Sequence, residues 1–160
     1  MLYNKRTAFT MIELVFVIVI LGILAAVAIP RLAATRDDAQ IVKGRSDVAA
    51  VRAAIVNERQ TRLLRGESAY ITKLHGAATT TIFDNNGTVA NGLMQYGVAT
   101  QNSTNGHWDD TVGNAGGTWQ YTYRATNTDV SFNYDPANGT FACDRVGNAA
   151  NEVLCRQLVD

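Results

Sequence analysis

The feature that most constrains this chain is a long apolar run near its N-terminus. Between Phe9 and Ile29 the only polar side chains are those of Thr10 and Glu13. As a helix rising about 1.5 Å per residue, this run spans roughly 31 Å, close to the roughly 30 Å hydrocarbon thickness of a bilayer. The run therefore predicts a single membrane crossing.

The carboxylate of Glu13 lies near the start of this predicted membrane helix. A charge deep in the bilayer costs about 2.5 to 3.5 kcal/mol, so it needs a compensating partner or a shallow position. Glu13 therefore either pairs with another group or extends to the headgroup level.

The residues around this run follow a recognisable order. A hydrophilic leader, residues 1–8, carries Lys5 and Arg6 and no acid. Phe-Thr-Met-Ile-Glu-Leu follows, then an aliphatic stretch with Gly22, then Pro30 and a long polar helix. Over about residues 5–40 this pattern resembles the N-terminus of type IV pilins and type II secretion pseudopilins.

The resemblance implies that a prepilin peptidase cleaves between Ala8 and Phe9 on the cytoplasmic side and that Phe9 is N-methylated. It also implies that an inner-membrane assembly machinery packs the apolar helices into the core of a homo-oligomeric helical filament. The ammonium of Phe9 in one subunit could then pair with Glu13 of a neighbour, where an unpaired charge would be costly. Glu13 is therefore the predicted assembly determinant. The family usually has Gly where this chain has Ala8, and Leu where it has Met11.

Two other interpretations of the N-terminus remain open. A secretory signal would use residues 14–24 as its apolar region and 26–28 as its cleavage site, releasing a soluble protein. Glu13 at the head of the apolar region and Pro30 just beyond the cut argue against it. An uncleaved anchor is the other possibility.

Gly22 and Pro30 are the predicted helix-breaking positions. Glycine in a helix costs about 1 kcal/mol relative to alanine, and proline removes a backbone hydrogen bond. The span between them is a plausible place to bend, and the matching span in type IV pili can lose helicity when the filament forms. Alternatively, Gly22 is a close-packing position.

The sequence predicts four segments: a leader at 1–8, a transmembrane or filament-core helix at 9–30, an amphipathic continuation at 31–65 and a head at 66–160. In the continuation, Ile41, Val48, Val51 and Ile55 share one face, Gly44 is an interruption, and Gly66 is the expected stop. Residues 31–65 carry eight Lys or Arg against four acids, while residues 66–160 carry four against nine. This asymmetry could help heads pack against neighbouring stems.

In the head, alternation of apolar and polar residues predicts strands over 119–125 and 130–134, a turn at 135–139 and a strand at 140–143. The stretch 66–117 is expected to be irregular apart from a short helix at 68–74, and residues 97–117 to form a variable loop. Cys143 and Cys155 are the only cysteines and fit no metal-ligand pattern, so we expect a disulfide and an oxidising compartment. Many type IV pilins close a C-terminal loop in this way.

No catalytic group, metal site or cofactor site is predicted. His75 and His107 are isolated, and residues 113–118 lack the lysine of a phosphate-binding loop. Asp109, Asp110 and Asn114 could offer oxygens to calcium but lack the pattern of the major pseudopilins. A nucleic-acid partner is not inferred, because the head is net acidic.

The predicted fold is α+β and pilin-like: a long N-terminal helix, membrane-spanning in its first half, packed on a small antiparallel sheet. The predicted function is that of a structural, non-enzymatic subunit of a type IV pilus-like filament. The alternatives are a type II secretion pseudopilin and a membrane-anchored periplasmic binding module. We expect a single pass through the bacterial inner membrane with the head in the periplasm, and after assembly a filament on the cell surface or across the periplasm.

Overall fold

The computed structural model describes residues 9–76, 80–84, 93–145 and 149–159. The elements, in chain order, are α1 (Met11–Leu64), β1 (Thr81–Ile82), β2 (Val98–Ala99), β3 (His107–Trp108), β4 (Gly113–Ala115), β5 (Thr118–Ala125), β6 (Thr128–Asp135), β7 (Thr140–Cys143) and α2 (Ala149–Val159). The chain divides into two compact units, Met1–Arg36 and Asp37–Asp160. The second is called the head unit below. It contains the C-terminal part of α1 and all the strands.

Within the head unit, α1 buries one stripe of residues. The buried positions are Gln40, Gly44, Val48, Val51 and Ile55. Their spacing of three or four residues places them on one face of a helix. The predicted apolar face is confirmed, with Ile41 at its edge, packed against the core but only partly buried.

The end of α1 also follows the sequence. Gly66 has a φ of 83° and its N–H donates to the carbonyl of Leu63 at 3.0 Å, while Glu67 N–H donates to the carbonyl of Arg62 at 2.9 Å. A glycine in the left-handed conformation is the usual way to end a helix, because it has no Cβ to clash. The predicted stop at Gly66 is confirmed.

The main sheet is antiparallel, with β5, β6 and β7 as consecutive neighbours. Both β3 and β4 pair with the edge of β5 that faces away from β6. β3 pairs near the C-terminal end of β5, and β4 pairs near the start of β5. Alternate residues of β5 and β6 are buried: Tyr121, Tyr123, Ala125, Val130, Phe132 and Tyr134. This confirms the predicted meander, whose buried face forms one core with Val48, Val51 and Ile55 of α1.

A two-residue turn joins β5 to β6. Thr126 and Asn127 both have positive φ, 49° and 60°. Two successive left-handed residues are typical of a tight hairpin turn that matches strand twist. Gln40 of α1 holds this turn, since its side-chain Oε1 accepts a hydrogen bond from Thr126 N–H at 3.1 Å.

The predicted helix at 68–74 is wrong. Main-chain groups in this segment bond to tyrosine hydroxyls of the sheet: Leu74 N–H donates to Tyr121 Oη at 2.9 Å, and the carbonyl of Ile71 accepts from Tyr134 Oη at 2.7 Å. Ile71 and Leu74 are buried in the core. Tertiary hydrogen bonds therefore replace the local ones that a helix would make.

The expectation that residues 66–117 are irregular apart from that helix is also wrong. The stretch contains β1 to β4, and three of these strands, β2, β3 and β4, lie in the predicted loop 97–117. Trp108 of β3 is fully buried, and its ring lies 5.1 Å from the rings of both Phe83 and Tyr123. This tryptophan anchors a segment that is otherwise rich in Asn, Gly and Thr.

The C-terminal segment forms α2, which the sequence reasoning did not predict. Leu154, Cys155 and Leu158 are its buried residues. Cys155 forms a disulfide with Cys143 at the end of β7, with a Cα–Cα distance of 5.8 Å. The predicted disulfide therefore ties α2 to the last strand of the sheet.

Candidate functional site

The candidate site is the N-terminal part of α1, where every residue from Phe9 to Ala39 is exposed. The large apolar side chains from Met11 to Leu32 have between 40% and 81% of their surface exposed. In the described part of the chain, α1 is the one helix long and apolar enough to cross a membrane. Such a surface is stable only under a cover of lipid or of other apolar helices, and a membrane or a filament core provides such a cover.

Glu13 lies in the first turn of α1 and is exposed. Its carboxylate makes no hydrogen bond or ion pair with any residue that the structure describes. An anion in the first turn is favoured by the helix dipole, typically by about 0.3 to 1 kcal/mol. No described residue therefore competes with the ammonium of a neighbouring subunit for this carboxylate.

Thr10 immediately precedes the helix and acts as its N-cap. The Thr10 carbonyl accepts from Glu13 N–H at 3.1 Å and from Leu14 N–H at 3.2 Å, and the Thr10 hydroxyl accepts from Glu13 N–H at 3.4 Å. The sequence reasoning assigned no role to Thr10. The signal was present, because Thr-x-x-Glu at a helix start is the capping-box pattern.

The predicted cleavage junction lies at the edge of the described chain. Phe9 is 82% exposed and lies outside α1, which begins at Met11. Ala8 lies outside the described residues.

Gly22 and Pro30 both lie inside α1, which is continuous through them. No atom beyond the local helix backbone lies within 4 Å of a Cβ built at Gly22. Both residues are exposed. Loss of helicity between them concerns the assembled filament and stays a prediction.

Four cations of α1 in the head unit bind backbone carbonyls of their own chain. Each pair joins a side chain of α1 to the main chain of a later segment: Lys43 to Gly106, Arg45 to Gln157, Arg52 to Phe141 and Arg59 to Ser68. The guanidinium of Arg59 also lies over the ring of Tyr70, 4.3 Å from its centroid. These hydrogen bonds attach α1 to later segments of the head unit.

Titratable groups packed into the head unit hydrogen-bond within the fold. Trp108 Nε1–H donates to the Asp47 carboxylate at 3.1 Å, while burial raises the pKa of Asp47 above 3.8. Tyr123 Oη donates to the Gln40 carbonyl at 2.7 Å, and burial raises the pKa of this phenol well above 10. Burial likewise raises the pKa of Tyr134 to about 12.

The two histidines lie apart. His75 Nδ1 lies 3.0 Å from Tyr121 Oη, and burial is the main cause that lowers the pKa of His75 below 6.5. His107 Nδ1 lies 3.2 Å from the Asn105 carbonyl. Over the described ranges, no group of three or more His, Cys, Asp or Glu side chains is placed to hold a metal ion.

The acidic loop considered for calcium is held by internal hydrogen bonds. The Asp110 carboxylate accepts from the Asn102 side-chain amide at 2.6 Å and from the Thr111 hydroxyl at 3.1 Å. Asp109 accepts from the main-chain N–H of Ser103 at 3.4 Å. These bonds hold the segment 102–111, which contains β3 of the main sheet.

One family model and one known protein match part of this chain. The family model described as the prokaryotic N-terminal methylation motif matches residues 3–29. The type II secretion system core protein G of Pseudomonas aeruginosa is 38% identical over 52 residues, which are 32% of this chain and 37% of that protein. The chain therefore aligns with little more than a third of the length of this relative. No solved structure matches the chain.

Proposed function

We propose that this chain, whose N-terminal segment places it in the type IV pilin and type II secretion pseudopilin superfamily, is a structural subunit of a filament. The observation that carries the proposal is the uncovered apolar surface of residues 11–32, which includes the carboxylate of Glu13, unpaired among the described residues. Lipid covers this surface before assembly, and the same segments of other copies cover it afterwards. Members of this superfamily are in general processed by a prepilin peptidase and assembled into filaments.

Processing creates a cationic partner for Glu13. Removal of residues 1–8 leaves a new amine at Phe9, which is cationic near neutral pH. In a core of apolar helices, pairing of this cation with the carboxylate of another copy offsets the cost of burying both charges. The pairing also favours one axial offset between neighbouring helices, since only that offset brings the two groups together.

The role of the head is structural, without catalysis. Polar groups at its core, such as those of Asp47 and Tyr123, hydrogen-bond to other parts of the same fold. The disulfide between Cys143 and Cys155 supports a periplasmic and then extracellular location, because such bonds persist in oxidising compartments. The membrane segment accordingly has its N-terminus in the cytoplasm.

Within the superfamily we place the chain first among type IV pilins, because its head carries a C-terminal disulfide, as in many type IV pilins. A second candidate is a type II secretion pseudopilin, and the similarity to the Pseudomonas aeruginosa core protein G favours it. Both candidates share the stem and differ in the filament built from it. A long surface fibre is expected of the first, and a short periplasm-spanning filament that serves secretion is expected of the second.

Intact-mass measurement of the native protein tests the proposal. A mature chain that begins at N-methyl-Phe9 is the expected result. An intact Met1, or a chain that begins at Ile29, would refute filament assembly and support an anchored or a secreted module. A strain without prepilin peptidase is the matched control, in which the full-length mass must persist.

Shearing of cells separates the two filament types. Fibres in the supernatant that contain this chain support the pilin. Their absence, together with a secretion defect in a deletion strain, supports the pseudopilin. Tagging the head rather than the N-terminus keeps the cleavage junction intact in both measurements.

A further inference from the structure

One side of α1 in the head unit is left uncovered by every residue that the structure describes. We propose that α1 of a second copy of this chain packs against this side. The inference rests on the proposed function, because it takes the second copy from the same filament. It extends the contact between copies from residues 11–32 into the head unit.

Seven residues form this uncovered side, which we call the outer face. They are separated alternately by four and three residues, and each of them is exposed: Val42, Ser46, Ala49, Ala53, Val56, Gln60 and Leu63. At 3.6 residues per turn they lie roughly opposite the buried stripe of α1. The large apolar side chains among them, those of Val42, Val56 and Leu63, are 65%, 55% and 52% exposed.

The outer face carries no charged residue. A helix that packs one side on a core usually has charged and polar side chains on the other side. Arg45, Arg52 and Arg59 border the outer face and also recur every seven residues, but each donates to a main-chain carbonyl of its own head. The outer face can therefore be covered without the cost of removing one of its own charges from water.

The spacing of the outer face indicates that its partner is another helix. Alternation of four and three residues keeps one side of a helix in contact with a parallel helix over several turns. Ala49 and Ala53 lie near the middle of the outer face. Because the distance between packed helices depends on the side chains at the contact, two small residues here let a second helix approach closely.

A second copy of the chain supplies such a helix. Copies that are inserted through residues 11–32 share one orientation in the membrane, so their α1 helices run in the same direction. The outer face belongs to the same helix as that apolar segment, which other copies cover in the proposed filament. A partner that recognises charge is disfavoured, because the outer face offers none to pair with.

The test places one carboxylate at the centre of the outer face, by Ala53→Glu. Ala53 is exposed and glutamate is a good helix former, so the head should still fold. The residues three and four positions away offer no cation within α1 to pair with the new charge: Ala49, Ala50, Val56 and Asn57. An unpaired carboxylate buried between helices is costly, so the filament-bound pool should fall by about tenfold or more at equal expression.

The matched control is Ala150→Glu, which adds the same charge at an exposed position of α2. This variant should enter filaments as wild type does. Denaturant unfolding in micelles, followed by tryptophan fluorescence, should give the wild-type midpoint for both variants. An equal depletion of Ala150→Glu would assign the loss to the total charge of the head and would overturn the inference.

Gln60→p-benzoylphenylalanine identifies the partner directly, since this residue crosslinks to its neighbours under light. Irradiated filaments should yield an adduct of two copies, and mass mapping should place the second attachment within Met11–Leu64. An adduct with lipid, with another protein or with the strands of a second head would contradict the proposed partner.

Entry of Ala53→Glu into filaments at the wild-type level would also overturn the inference. That result would leave the proposed function standing, because wild type would still form filaments. Absence of wild type from filaments would instead refute the proposed function and, with it, this contact.

Discussion

Replacement of Gly44 by alanine should destabilise the head, although the same change in an open helix is stabilising. Gly44 is buried at the point where α1 meets the sheet and α2. A Cβ built at this position would lie 2.5 Å from Tyr123 Cε1 and 2.7 Å from Leu158 Cδ2. Real Cβ atoms do not approach neighbours so closely, so one of these side chains would have to move.

Neither neighbour can move without cost. Tyr123 is fully buried, and its hydroxyl donates to the Gln40 carbonyl at 2.7 Å. Overpacking of a core costs about 1 to 3 kcal/mol, loss of the hydrogen bond costs about 1 kcal/mol, and alanine regains about 1 kcal/mol of helix propensity. We therefore expect Gly44→Ala to lower the free energy of unfolding of the head by about 1 to 3 kcal/mol.

Denaturant unfolding of the full chain in detergent micelles, followed by tryptophan fluorescence, would measure this change. Both tryptophans, Trp108 and Trp119, lie in the head, so the membrane segment does not contribute to the signal. Ala53→Gly at an exposed position of the same helix is the matched control and should cost about 1 kcal/mol. If Gly44→Ala were instead more stable than wild type, the proposed close contact would be refuted.

Three further outcomes follow from the geometry. The pKa of His75 is lowered in the fold, so the unfolded chain binds a proton more readily, and the free energy of unfolding should fall as the pH drops below 6.5. In a pH profile of stability followed by tryptophan fluorescence, His75→Gln should flatten this decline, and an unchanged slope would contradict the prediction. Joint replacement of Cys143 and Cys155 by serine opens a loop with a sequence separation of 12. In the same unfolding assay it should lower the stability of the head by about 3 kcal/mol, and a loss below about 1 kcal/mol would argue against a stabilising crosslink. Glu13→Gln should leave the chain in the membrane but deplete it from filaments. The measurement compares the membrane-bound and filament-bound pools of the two chains at equal expression. If the variant enters filaments as well as wild type does, Glu13 only extends to the headgroup level and does not determine assembly.

Sequence patterns predicted those parts of the fold in which burial repeats regularly. The alternation over 119–125 and 130–134 gave the two long strands, and the spacing of Val48, Val51 and Ile55 gave the buried face of α1. Each pattern extends over several periods, so a buried face can be assigned without knowledge of what covers it. The exposed apolar segment with Glu13 was evident because it is a continuous run of apolar residues long enough to cross a membrane.

The short elements of the head could not be predicted in this way. β3 consists of His107 and Trp108 alone, too few residues for any period, and its place next to β5 depends on the burial of one indole. The segment at 68–74 has a helical pattern, but hydroxyls of β5 and β6 bind its main chain, and those partners are distant in sequence. Gly44 and Gln40 were likewise undervalued, because their importance comes from Tyr123 and Thr126, about 80 residues further along the chain.

The hydrogen bonds from α1 to backbone carbonyls affect how freely exposed positions of the head can change in sequence. Ser68 and Gln157 are exposed, and Arg59 and Arg45 hold them through main-chain oxygen atoms, which every amino acid possesses. Substitution of either side chain leaves the carbonyl acceptor in place, so the hydrogen bond does not depend on which amino acid occupies the position. Side-chain substitutions at these two positions should therefore cost the head little stability, so its outer surface can change without loss of these attachments.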